Sequence, residues 1–120
     1  ITTPKFFTLN KKNFNAQRLK KNIIKNKIKF PIVAKPVDEG SSLGVVMCKN
    51  NKELLKKTKK LLKKYNQLIF EEYVGGQEIQ VAVINGKPLG AIELVPKRLF
   101  YDYKAKYTKS AKQNTSCQLV

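Results

Sequence analysis

A chain of 120 residues with 42% hydrophobic content suits one modest domain or a piece of a larger one. The formal net charge is +17, which invites a nucleic-acid partner through counterion release. However, only Arg18 and Arg98 are arginine, the residue favoured for base readout, and the lysines are spread along the whole chain. With no histidine, imidazole acid–base chemistry, a His-based triad and His metal ligands are excluded. Cys48 and Cys117 form no C-x-x-C pair, so zinc and redox chemistry have no support and a reduced, intracellular compartment is the default. No apolar run approaches the roughly 18 residues of a membrane span, and no signal peptide is visible. The start at Ile1 and the end at Val120, without a tail, read as a fragment of a longer protein.

Pro4 to Leu9 reads as a short entering strand. From Asn13 to Lys27, Phe14, Leu19, Ile23 and Ile24 fall near helical spacing, which predicts a basic amphipathic helix with a solvated lysine face. Pro31 biases Phe30 away from helix and launches a strand through Ile32, Val33 and Ala34. A return strand is expected over Leu43–Met47. Asn50 to Tyr65 is the clearest helix: Asn50 and Glu53 have capping-box spacing, and Leu54, Leu55, Thr58, Leu61, Leu62 and Tyr65 make one apolar stripe. Leu68 to Val74 is a strand carrying adjacent carboxylates, Glu71 and Glu72, and Gly75-Gly76 breaks it. Glu78 opens an alternating strand, and Asn85-Gly86 signals a tight hairpin into a partner strand over Leu89–Val95, stopped by Pro96. This β-α-β-β-α-β order followed by a hairpin is α+β with a largely antiparallel sheet.

Two stretches carry chemistry. Between the strands around Val33 and Val46 lie Lys35, Pro36, Asp38, Glu39, Gly40, Ser41, Ser42 and Gly44. A lysine, two adjacent hydroxyls and glycines that let amides turn toward a ligand are what a polyphosphate needs. The lysine precedes the glycines, so this is not a P-loop, and a plain Gly/Ser turn is the simpler alternative. Phe100 to Tyr107 (FYDYKAKY) packs four aromatics and two lysines into eight residues without periodicity. It is either an aromatic surface loop or a segment that stacks on and pairs with a phosphate-bearing ligand.

Taken together, VAKPVDEGSSLGV (Val33–Val45), FEEYVGGQE (Phe70–Glu78) and FYDYKAKY (Phe100–Tyr107) resemble the ATP-grasp enzymes, most closely the D-alanine–D-alanine ligases. The resemblance covers nearly the whole chain, weakening before Pro31 and after Tyr107. It implies an ATP-grasp fold with two packing helices, then a hairpin opening a second, truncated domain. The nucleotide-binding subdomain would cover 1–78, and 79–120 would begin a C-terminal catalytic domain with a lid loop.

The implied activity is ATP-dependent joining of two D-alanines through an acyl phosphate, feeding peptidoglycan synthesis in the cytoplasm. ATP and Mg²⁺ are the implied cofactors. By the same resemblance Lys35 contacts the α/β-phosphates, while Glu39, Gly40, Ser41 and Ser42 close over the terminal phosphate, Ser41 nearest the substrates. Glu71, Glu72 and the backbone of Val74 line the adenine pocket, although the family often has lysine where Glu72 stands. Glu78 binds the ribose, Lys106 reaches the γ-phosphate from the lid, and Tyr107 shields the substrates from water. The metal ligands, an oxyanion-stabilising arginine and most residues that choose the second substrate belong to segments outside these 120 residues. The chain alone is therefore expected to be inactive. A homodimer is left open, because the family commonly dimerises; neither nucleic acid nor a membrane is expected as a partner. The competing readings are an ATP-grasp ligase taking D-lactate or D-serine, a basic nucleic-acid-binding module, and an inactive, degraded gene product.

Overall fold

The computed structural model describes residues 1–96 and 115–119. The order is β1 (Phe6–Asn10), α1 (Ala16–Lys25), β2 (Ile32–Pro36), β3 (Val46–Cys48), α2 (Asn51–Leu62), β4 (Gln67–Glu72), β5 (Glu78–Ile84), β6 (Lys87–Pro96) and β7 (Thr115–Leu119). The expected β-α-β-β-α-β order and the following hairpin are present. Two compact units divide between Val74 and Gly75, so Glu78, expected at the end of the first domain, opens a strand of the second unit.

In the first unit a four-stranded sheet runs β1-β4-β2-β3, with every neighbour antiparallel. Strand periodicity sends Ile32, Ala34, Leu68 and Phe70 to one face, where all four are fully buried. Leu19 and Ile23 of α1 and Leu54, Leu61 and Leu62 of α2 join the same core. Phe7 stacks on Phe70 with ring centroids 4.9 Å apart. Each such large side chain contributes about 1.5–3 kcal/mol by leaving water. The two helices thus cover one sheet face and leave the other for chemistry.

Local signals explain the helix ends. Asn15 caps α1 by accepting from the Arg18 amide at 2.7 Å, which starts the helix at Ala16 instead of Asn13. Asn50 caps α2 by accepting from the Glu53 amide at 2.9 Å. Glu53 reaches back one residue further than a capping box, taking the Lys49 amide at 3.0 Å, and that bond holds its carboxyl below the ordinary value. The expected strand over Leu43–Met47 begins later, at Val46. Ser41, Ser42 and Gly44 all have positive φ (54°, 63° and 74°), and turn bonds from Leu43 N to Gly40 O and Val45 N to Ser42 O keep this stretch out of the ladder.

The second unit is a three-stranded antiparallel sheet ordered β5-β6-β7. Asn85 (φ 50°) and Gly86 (φ 76°) make the hairpin turn that their pairing predicts. Strand β7 lies where the sequence shows no pattern. It pairs with β6 from Ile92↔Leu119 to Pro96↔Thr115.

Candidate functional site

The uncovered face of the first sheet is where β2 and β4 present alternate residues. Their register sets Val33 opposite Glu71 and Lys35 opposite Ile69. Lys35 and Glu71 are therefore diagonal neighbours on one face, within reach of long side chains. The Lys35 Nζ donates to Glu71 Oε1 at 2.7 Å, both groups being only partly exposed.

Above this pair the Gly40–Val46 turn closes a cavity of about 380 Å³. Lys35, Glu39, Gly40, Ser41, Ser42 and Glu71 all line it, so residues from two separate sequence motifs meet at one place. Val33 and Ile69 form an apolar floor that sequence reasoning missed. Strand alternation was the available signal, since both lie out of phase with the buried Ile32, Ala34, Leu68 and Phe70.

The turn has its own steric logic. A Cβ on Gly44 would sit 2.8 Å from Pro36 Cγ and 3.1 Å from Tyr65 Cε2, at a φ of +74°. Only glycine lets the backbone pass there while Ser41 and Ser42 hold left-handed conformations. One concavity thus gathers a lysine, two hydroxyls and the carboxylates of Glu39 and Glu71, the last paired with Lys35.

The remaining candidates are Glu72, Val74, Glu78, Lys106 and Tyr107. Glu72 is out of phase with Glu71, and its Oε1 accepts from the Lys29 amide at 3.0 Å, which ties the end of β4 to the segment before β2. Val74 is exposed at the end of the first unit. Glu78 is the exposed first residue of β5 in the second unit. Lys106 and Tyr107, like the whole of Phe100–Tyr107, lie outside the described residues. Among the described residues no three Asp, Glu or Cys side chains gather as a metal site. Burial raises the Cys48 thiol, with Lys57 partly offsetting it, which keeps this sulfur in its unreactive form.

Comparison with known proteins shows the family and the fold. The family model described as "D-ala D-ala ligase C-terminus" matches residues 1–119. A D-alanine–D-alanine ligase of Pelagibacter ubique (strain HTCC1062) is 50% identical over 115 residues, covering 93% of this chain and 36% of that protein. The crystal structure of a D-alanine–D-alanine ligase from Bacillus anthracis superposes with a TM-score of 0.71 at 29% identity, covering 98% of this chain and 36% of the other. The Bacillus anthracis enzyme complexed with ATP gives 0.68 at 27% identity, covering 100% and 36%. The architecture is thus the expected α+β ATP-grasp fold. The chain spans about a third of the length of the curated relatives it matches.

Proposed function

The chain belongs to the D-alanine–D-alanine ligase family, and from that premise we propose that it binds the nucleotide in an ATP-dependent ligase that makes the D-alanyl-D-alanine dipeptide. The observation that carries this reading is the single cavity lined by Lys35, Glu39, Gly40, Ser41, Ser42 and Glu71. A carboxylate oxygen of one D-alanine attacks the γ-phosphorus of ATP, and ADP leaves. The amine of a second D-alanine then attacks the acyl carbon of the resulting acyl phosphate, and inorganic phosphate leaves. Catalysis of this kind is chiefly positioning and charge stabilisation.

In that scheme Lys35 takes the α/β-phosphates as a compact cation. ATP enters by exchanging the Lys35–Glu71 contact of 2.7 Å for a contact between Lys35 and phosphate. Glu71, released, turns to the adenine with the Val74 backbone, and Glu78 accepts from the ribose hydroxyls; Glu72, out of phase with Glu71 and held by the Lys29 amide, does not share that contact. Ser41 and Ser42, with Glu39 and Gly40, close over the terminal phosphate, while Lys106 and Tyr107 act from the lid. Magnesium supplies charge neutralisation at the phosphates when bound. Among the described residues no three Asp, Glu or Cys side chains gather to hold it, and we place its site in the remainder of the ligase. The product serves peptidoglycan synthesis, and the enzyme works in the cytoplasm.

The full-length protein, given ATP, Mg²⁺ and D-alanine, is expected to release ADP and phosphate in step with a dipeptide seen by mass spectrometry. The isolated 120 residues are expected to release none. ATP turnover by the full-length protein without any dipeptide or related D-alanyl product would refute the ligase reading.

A further inference from the structure

A second cavity, of about 410 Å³, lies on the reverse of the same turn, against α2. Its apolar wall is Leu43, Val46, Leu61 and Tyr65, and its charged groups are Lys57, Lys60 and Lys64 with no carboxylate among them. The turn divides its residues between the two cavities. Ser41, Ser42 and Val45 line the first, whereas Leu43, Gly44 and Val46 line the second. Gly44 lies between Pro36 of the first and Tyr65 of the second, with no room for a methyl group.

The three lysines are not equivalent. Lys57 is engaged, donating to Met47 O at 2.9 Å and lying 3.8 Å from Glu53. Among the described residues neither Lys60 nor Lys64 has a carboxylate partner, and the Lys64 Nζ sits 5.4 Å from the Tyr65 ring centroid. Leu43 is 39% exposed although it is a large apolar residue. An apolar wall large enough for a small molecule, with cations at its edge, complements a ligand of one chemistry: an apolar body bearing one anionic head.

We propose that this cavity is a binding site for a small amphipathic anion, and that its occupant bears on the nucleotide cavity through the shared Gly40–Val46 turn. The apolar body lies along Leu43, Val46, Leu61 and Tyr65, and the head is held by Lys60 and Lys64. Binding does not depend on the ligase reading; the effect on ATP rests on it.

The test is a calorimetric and NMR titration of the full-length protein with 1-anilinonaphthalene-8-sulfonate, an apolar body with a single sulfonate. Saturable binding is expected, with amide shifts concentrated at Leu43–Val46 and Leu61–Tyr65. Lys60→Glu combined with Lys64→Glu should weaken it at least about tenfold, as expected for losing charge-assisted contacts. Leu43→Ser should weaken it by about threefold through lost apolar contact. Lys11→Glu with Lys12→Glu, an equal charge change elsewhere, and Lys35→Ala in the first cavity should each leave affinity within about twofold. Absence of saturation by about 1 mM, or equal weakening by both charge-reversal pairs, would overturn the site. So would loss on Lys35→Ala, which would place the probe in the other cavity. Saturating probe should also change the ATP Kd by at least about twofold; an unchanged value would overturn the coupling while leaving the ligase reading intact.

Discussion

The two units differ in how much of their sheets the described residues cover. The first buries one face of its sheet under two helices, so Ile32, Ala34, Leu54, Leu68 and Phe70 are fully buried within Ile1–Val74. Among the described residues of the second, all seven of β5 are exposed, including Ile79, Val81 and Val83, while Leu94 of β6 is buried, in a chain that spans about a third of its relatives' length. An antiparallel sheet with an apolar stripe needs a second layer to be stable by itself. In the first sheet the cavity around Lys35 lies on the face the helices leave uncovered. One face carries the folding free energy, which leaves the opposite face at liberty to hold Lys35 and Glu71 beside a strained turn.

Breaking each unit in turn should expose this asymmetry. Phe70→Ala removes a fully buried ring stacked on Phe7 and should cost about 3–5 kcal/mol in chemical denaturation. Val81→Ala in the 120-residue chain, where that side chain is 51% exposed, should cost under about 1 kcal/mol. Equal costs would mean that the two sheets are covered alike.

The next effect concerns the turn. Gly44→Ala forces a Cβ to 2.8 Å from Pro36 Cγ at positive φ, and should cost about 1–3 kcal/mol. Gly40→Ala meets open space and should cost less. If the two substitutions were equally harmful, the close approach at Gly44 would not be what shapes the turn.

The smallest effect is titratable. Glu53 has its folded pKa lowered, first by the Lys49 amide, so its stabilisation is full above its ordinary value of about 4.5. It is lost as pH falls below that value and through the lowered folded one. Glu53→Gln should therefore flatten the acid limb of the thermal-unfolding profile slightly, and an unaltered limb would remove the capping role.

Much of this was legible because local and global signals agree. The Leu54–Leu61–Leu62 spacing, the Asn50 cap and the Asn85-Gly86 pair each act within a few residues, where backbone sterics and periodicity decide. What stayed hidden depends on partners distant in sequence. Leu43–Met47 reads as strand by its apolar content, yet turn bonds and Gly44 packed between Pro36 and Tyr65 delay the ladder to Val46. Strand β7 is short, and it is specified by pairing with β6 instead of by an alternating pattern. Glu71 and Glu72 look alike in the sequence, but alternation aims one at Lys35 and the other at the Lys29 amide.

In the proposed function the cavity around Lys35 takes the phosphates of ATP. Calorimetric titration of the full-length protein with ATP, wild type against Lys35→Ala, tests it most directly. Loss of a charge-assisted contact predicts a Kd at least about tenfold higher in a variant that still folds. A Kd within about twofold of wild type would mean that Lys35 does not hold the phosphates.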